Sequence, residues 1–548
     1  MLKKRAMTLF YLFLGAFTLL MWRCLYLQIF NGAKLSEAAS SQRISDSDIE
    51  RPRGDILDKN LIPLTNRQKK FTIVLQPLYL KENKEDLARV CEILEIDYRE
   101  YEKRIEFEKQ PIMVETTEEK KNAVINMKIP GTSAINSLKR YDENSVARHI
   151  LGYLNKADNV GETGIEKKYN EILECDTENL IGAVIDARNN IVKGMGYRII
   201  KLEGNSKKLN VKLTIDYHIQ RIVEDVMDRN GIKGAVVVED VTNGDIVAIA
   251  SKPDFEQNRI ADYLQSPDNE LFNRATASYN LGSIFKILDA VLILENDIDI
   301  HETFYCPGYI KVGNKDFKCS SYNRGGHGEL DAMQAFALSC NSYFINTGLQ
   351  LGYRKIVEIA DRFGLGSPTG IREQGIIESD GNIPDAGAYY SNGDIANLSI
   401  GQGKIMATPV QVANIIATVA NGGIKNRVNI VDSIIDEDGN KIRTLRKDEG
   451  KRIISKDVAD RIKKFMEEVT STGTGTEANL DLYGGTGGKT GSAETSRSDV
   501  VHAWFGGYFP RVDPKYSICV FVENGQNGGR TAAPVFAEIA KEILIKGY

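Results

Sequence analysis

The chain has 548 residues, enough for more than one domain and a large buried core. Seventy basic residues against 75 acidic ones leave a net charge of −5, so no bulk attraction to nucleic acid is expected. The hydrophobic share of 42% is ordinary, and no fixed-period repeat stands out. Along the chain, Ala6 to Trp22 carry no charge, and Arg23 is followed by the further apolar Cys24 to Phe30. Seventeen uncharged residues are the lower end for a spanning helix, so Arg23 is expected to snorkel to the outer interface. Lys3, Lys4 and Arg5 ahead of the run place the N-terminus inside. A cleavable signal peptide has similar features, but no small-residue cleavage pattern directly follows the run. The expectation is a cytoplasmic tail over 1–5, an uncleaved single-pass anchor over 6–30, and everything beyond it outside the cytoplasm.

Residues 31–205 read as an extended polar module with a charged, helix-rich middle from Lys81 to Lys109, and they carry no recognisable catalytic set. The chemistry lies in 206–548. Ile284 to Leu294 are apolar almost all round, interrupted only by Lys286 and Asp289, which predicts a helix buried in a large domain. Gly282 marks its start, so Ser283 is expected at the N-terminal end, near the positive pole of the helix dipole. Residues three apart share a helix face, which brings the Lys286 amine beside the Ser283 hydroxyl. Serine attacks only after a base takes its proton, and a desolvated lysine can be neutral enough to do so. Ser339, Cys340 and Asn341 follow a helix-like stretch and add a second hydroxyl and an amide. Lys489, Thr490 and Gly491 follow a flexible glycine-rich run and precede the strand-like Val500 to Phe505. A lysine and a hydroxyl on an edge strand suit a substrate carboxylate, and the glycine lets the substrate backbone come close.

Those three segments stand in the order and rough spacing of the active-site serine set of penicillin-binding proteins and class A β-lactamases. The chain resembles a class B penicillin-binding protein, a membrane-anchored D,D-transpeptidase that cross-links peptidoglycan, and the resemblance runs over nearly its whole length. It is carried further by Arg53 to Asp58, Arg140-Tyr141, Ala147 to Gly152 and Gly161 to Glu166. Thr214 to Asp216 with Gln220, Asn273 to Ala275, Gly401 to Gly403 and Thr408-Pro409 also fit. One departure is Leu281, where the family usually has proline. The resemblance implies an α+β fold with an antiparallel sheet between helices, a pedestal or dimerisation module over 31–205 and a transpeptidase domain over 206–548. It implies Ser283 as the nucleophile that becomes the acyl-enzyme and Lys286 as its base. Ser339 would pass a proton to the leaving amine, Asn341 would position Lys286 and the substrate, and Lys489 would supply positive potential. Thr490 with Gly491 would bind the substrate carboxylate and backbone, and Ser283 and Ser492 would lend backbone N–H groups to an oxyanion hole. The partners implied are peptidoglycan stem peptides, β-lactams and a membrane glycan polymerase, with no cofactor for catalysis. Alternatives are a D,D-carboxypeptidase or β-lactamase-like hydrolase, and a non-catalytic penicillin-binding scaffold.

The seven cysteines include three that share a 35-residue window with a histidine: Cys306, Cys319, His327 and Cys340. Three thiols and one imidazole make a closed tetrahedral zinc set, structural because no position is left for water. A Cys306–Cys319 disulfide and unconnected cysteines are the competing readings. Similar class B proteins carry zinc at a site of this kind, which the resemblance extends to this set. None of His149, His218, His301 and His502 pairs with a serine and an aspartate as in a hydrolase triad, and the glycine-rich segment before Lys489 lacks a nucleotide-binding spacing.

Overall fold

A computed structural model describes residues 2–26, 53–108, 110–155, 158–175, 178–183, 197–202, 208–494 and 500–548. Helix α1 spans Leu2–Leu25. Its stretch Met7–Leu25, with mean hydropathy 1.6 and none of it buried, is long and apolar enough to cross a membrane. The last expected anchor residues, 27–30, lie outside the described residues.

The chain folds as two compact units that interleave in sequence. The first holds residues 1–52, 69–138 and 175–206, and the second holds 53–68, 139–174 and 207–548. In the first unit, strands β1 (Gln68–Leu75), β2 (Ile112–Thr116) and β3 (Thr132–Lys139) form a sheet in the order β2-β1-β3. The charged middle expected to be helical is α2 (Lys84–Leu94) and α3 (Tyr98–Phe107). α2 starts where the Asn83 side chain accepts a bond from the Asp86 N–H, with Glu85 and Asp86 complementing the helix dipole in the first turn. Its buried residues Leu87, Val90, Cys91 and Leu94 fall on one helical stripe, and that stripe joins Ile73, Leu75 and Ile112 in a small core.

The second unit is built on a five-stranded antiparallel sheet. Its strands are β4 (Gly234–Asp240), β5 (Ile246–Lys252), β8 (Gly487–Glu494), β9 (Val501–Phe509) and β10 (Tyr516–Val522), in the order β5-β4-β10-β9-β8. Between these strands in sequence lies the hairpin of β6 (Tyr309–Val312) and β7 (Lys315–Lys318). The period-2 alternation of the central strands feeds two cores. Val236, Val238, Phe505 and Val520 pack with α4 (Tyr217–Arg229) and α10 (Ala533–Lys546) through Ile222, Val226, Phe536 and Ile539. Ala235, Val237, Trp504 and Phe521 turn the other way, into the core that holds α5 (Lys286–Glu295), α8 (Pro409–Ala420) and α9 (Lys456–Ser471). The sheet is thus covered on both faces, so the inner strands β4, β10 and β9 are buried along nearly their whole length, whereas edge strand β8 carries polar residues. Helix α7 (Asn341–Leu351) packs on α5, and α6 (Ala332–Ala337) packs on α9 and α7.

The expected sheet-between-helices arrangement is present, with two local differences. The nucleophile segment is a 3₁₀ turn over Gly282–Ile284, and the α-helix begins only at Lys286. Gly487 and Gly488, expected in a flexible run, already belong to buried strand β8, because a Cβ at Gly488 would lie 2.4 Å from the Phe505 ring.

Candidate active site

The turn bearing Ser283 is held by its backbone. Gly282 has φ +54, its N–H donates to the Gly401 carbonyl at 2.9 Å, and a Cβ there would sit 2.4 Å from the Ser492 carbonyl oxygen. Only glycine allows that approach at that dihedral. Upstream, the Asn280 amide donates to the Gly403 and Ile405 carbonyls, and the Trp504 indole N–H donates to the Asn280 carbonyl at 3.1 Å. The turn therefore presses against edge strand β8, and Gly491 leaves room for it: a Cβ at 491 would meet Ile284 at 2.8 Å and the Leu281 carbonyl at 2.9 Å. In a 3₁₀ turn residues i and i+3 eclipse, so the Ser283–Lys286 face relation survives the change of helix type.

Lys286 is fully buried. Its ammonium donates to the Asn341 side-chain oxygen at 2.7 Å, the Ser339 carbonyl at 2.8 Å and the Ser339 hydroxyl at 3.3 Å. Lys489, also fully buried, reaches the same hydroxyl at 3.0 Å and the Thr490 carbonyl at 3.1 Å. Ser339 is thus bracketed by two lysines, and it adopts φ +56, a left-handed conformation that costs a serine energy. Strain of this kind persists where surrounding bonds over-determine it. Here those bonds include Ser339 N–H to the Phe336 carbonyl and Cys340 N–H to the Ala335 carbonyl.

Burial pushes the Lys286 amine down to about 8, opposed by nearby Cys319, Cys340 and Asp289. Burial also pushes Lys489 well below the usual lysine value, and the Lys286 charge adds to the effect. Two aromatic faces offset part of the desolvation. The Lys286 amine lies 5.4 Å from the Phe344 ring centre, and the Lys489 amine lies 5.4 Å from that of Phe336. Thr490 shares a 2.6 Å hydroxyl–hydroxyl bond with Thr474, whose N–H donates to the Ala337 carbonyl. Phe336, Phe344, Thr474 and Trp504 carry no motif of their own and were not singled out from sequence. A large aromatic three residues from a motif serine or asparagine is the one signal that bears on the first two.

The Cys/His set converges as well. The ligand atoms of Cys306, Cys319, His327 and Cys340 all lie within 4.8 Å of one another, and the three thiols are free. The His327 Nδ1 lies 3.4 Å from the Cys319 sulfur and 3.6 Å from that of Cys306. The Cys319 sulfur also accepts from the Asn341 N–H at 3.1 Å. Hydrogen bonds from Cys340 and His327 hold the Cys319 thiol well below its usual value, the form a metal ligand needs. The donor set fits a soft divalent metal in closed tetrahedral coordination. Asn341 links this cluster to the lysine pair, since its amide NH₂ also donates to the Lys318 carbonyl at 3.0 Å. Lys286, Ser339, Asn341, Lys489 and Thr490 are tied by these bonds, whereas the Ser283 hydroxyl takes no part in them and is partly buried.

A buried lysine pair around a strained serine, beside a half-exposed serine on a 3₁₀ turn, is the layout of an active-site-serine acyltransferase. Comparison with known proteins agrees. The family profile described as the penicillin binding protein transpeptidase domain matches residues 234–541, and that of the penicillin-binding protein dimerisation domain matches 48–196. The chain belongs to the penicillin-binding transpeptidase family, in its class B branch. It is 28% identical to Stage V sporulation protein D of Bacillus subtilis, over 98% of this chain and 85% of that protein. It is also 28% identical to peptidoglycan D,D-transpeptidase MrdA of Acinetobacter baumannii, over 94% of this chain and 84% of that one. Among solved structures, penicillin-binding protein PBP2 of Helicobacter pylori, in its complex with MreC, shares the fold with a TM-score of 0.65. The identity is 22%, over 92% of this chain and 99% of that one.

Proposed function

We propose that this chain is a serine D,D-transpeptidase that cross-links peptidoglycan stem peptides through an acyl-enzyme on Ser283, and that β-lactams acylate the same residue. The observation that carries the reading is the Ser339 hydroxyl held 3.3 Å from Lys286 and 3.0 Å from Lys489. It gives the two lysines one shared proton path. In this mechanism neutral Lys286 takes the Ser283 proton as the hydroxyl oxygen bonds to the carbonyl carbon of D-Ala-D-Ala. The peptide C–N bond then breaks, and the leaving D-Ala amine receives a proton through Ser339. The amine of a second stem peptide attacks the acyl-enzyme, forms the cross-link and releases Ser283 with its proton restored. Asn341 fixes Lys286, supported by the 2.7 Å bond between them. Lys489 and Thr490 hold the terminal carboxylate, and Gly491 admits the substrate backbone against β8. The N–H groups of Ser283 and Ser492 polarise the carbonyl, a contribution worth roughly 3 kcal/mol of barrier per donor.

Cys306, Cys319, His327 and Cys340 would hold a structural zinc ion, a reading supported by three thiols and an imidazole within 4.8 Å. With that ion the four side chains would join the 306–327 segment to the loop carrying Ser339 and Asn341. The helix α1 anchors the protein by a single pass, with the domain 206–548 outside the cytoplasm and the module 31–205 serving as pedestal. A membrane glycan polymerase supplies the strands to be joined. The test is product analysis with purified full-length protein, a lipid-linked precursor and that polymerase. Cross-linked dimers that vanish in Ser283→Ala are expected, whereas release of D-Ala without dimers makes the enzyme a carboxypeptidase.

A further inference from the structure

The hairpin β6–β7 lies at the active site and presents one face to solvent that the chemistry above does not use. Its register pairs Tyr309 with Lys318 and Lys311 with Asp316 on one face, and Ile310 with Phe317 on the other. The inner face is apolar: Val312 and Phe317 bury with Ile345 of α7, the helix that begins at Asn341. On the outer face the Tyr309 ring meets Tyr322 edge-on at 6.1 Å, and the Lys318 ammonium sits 4.5 Å from the Tyr322 ring centre. Both tyrosines remain exposed, at 39% and 42%. The outer face of the hairpin carries Lys311 and Lys318 against the single acid Asp316, with Lys315 paired to Val312 on the other face, and Arg324 follows Tyr322, in a chain whose net charge is −5. The same Lys318 accepts the Asn341 amide on its carbonyl at 3.0 Å. One residue therefore belongs to the exposed aromatic face and to the wall of the active site.

We propose that this outer face, with Tyr309, Tyr322, Lys311 and Lys318, is an accessory subsite for the peptide-bearing glycan strand whose stem peptide enters the Ser283 site. The inference rests on the cross-linking reading above. Two features match that occupant. Exposed tyrosine rings give flat, amphipathic surfaces on which the C–H faces of sugar rings pack. The local excess of basic residues complements the carboxylates of stem peptides and draws them toward the site. Covalent reaction with a small β-lactam needs neither contact.

The experiment uses the full chain in detergent with two readouts, co-sedimentation with purified peptidoglycan sacculi and acylation by a fluorescent penicillin. The double variant Tyr309→Ala/Tyr322→Ala is expected to bind sacculi roughly tenfold more weakly, as loss of two aromatic contacts implies. Its penicillin acylation rate stays within about twofold of the parent, since about 0.4 kcal/mol separates rates that differ twofold. Lys311→Glu keeps both rings and is expected to weaken sacculus binding most at low salt, where charge attraction is least screened. Undiminished sacculus binding by both variants overturns the proposal. If the double variant loses acylation through misfolding, Lys311→Glu decides alone, by the same two readouts. A parent protein that binds sacculi but is never acylated at Ser283 strikes down the cross-linking reading instead.

Discussion

On the proposed mechanism, the residue that sets the pH behaviour of this site is Lys286. Desolvation favours its neutral form and pushes its amine down to about 8, although the Phe344 ring and the Ser339 and Asn341 oxygens favour the charged form. A base must be deprotonated to act, so the usable fraction grows as pH rises through that value. The rate of acylation by a soluble penicillin is expected to climb between about pH 6.5 and 8.5 and then level off, each unit of pH below the midpoint costing about tenfold. Lys286→Arg removes the rise altogether, because a guanidinium stays charged and accepts no proton from Ser283. A flat profile in the parent, or a Lys286→Arg protein that retains the parent rate, shows that another group takes the proton. The neighbouring Lys489 is also pressed toward neutrality by burial and by the charge on Lys286. One ammonium is therefore easier to accommodate than two, and Ser339 lies where a proton can pass between them.

At the scale of elements, the site is a contact between a turn and a strand. The 3₁₀ turn Gly282–Ile284 reaches β8 only because Gly491 has no side chain, as a Cβ there would lie 2.8 Å from Ile284 and 2.9 Å from the Leu281 carbonyl. Gly491→Ala is expected to lower penicillin acylation by about a hundredfold while the protein still folds, since a displacement near 1 Å is enough for such a loss. An unchanged rate in a folded Gly491→Ala protein shows that the turn–strand spacing is not critical. The Cys/His cluster couples a second pair of elements, because Asn341 at the start of α7 donates to the Cys319 sulfur. Metal analysis should find one zinc per chain, with Cys340→Ser losing it and lowering the thermal midpoint on the order of 5 °C. No stoichiometric zinc together with a fully stable Cys340→Ser protein removes the metal from the account. The motif residues Ser283, Lys286, Ser339, Asn341 and Lys489 were legible in sequence because each belongs to a short local pattern whose meaning depends on spacing. The residues that hold them were not, since Trp504 acts on Asn280 from 224 positions away and Thr474 meets Thr490 only through the fold. Nor did apolar periodicity show that the first turn of the Ser283 segment is 3₁₀. That turn is forced by the close approach of Gly401 and Ser492 to Gly282, a tertiary constraint.

Over the whole molecule, chain order and compact units do not coincide. Residues 53–68 and 139–174 fold with the catalytic unit, although the sequence reads 31–205 as one module. The apolar periods that mark helices were visible, but the assignment of a segment to a core depends on contacts far away in sequence. Helix α1, with Met7–Leu25 apolar and unburied, supplies the anchor on this account. A chain lacking residues 1–30 is expected to leave the membrane pellet and to keep its penicillin acylation rate within about twofold, because about 0.4 kcal/mol separates rates that differ twofold. Persistent sedimentation with membranes, in a truncated protein that is monodisperse, places the anchoring elsewhere. The claim on which the rest depends is that Ser283 is the nucleophile. Its most direct test is mass spectrometry of the full-length protein after reaction with a penicillin, followed by peptide mapping of the adduct. One penicilloyl group on the peptide containing Ser283, absent from Ser283→Ala, is the result predicted; an adduct on another residue, or one that survives in Ser283→Ala, contradicts it.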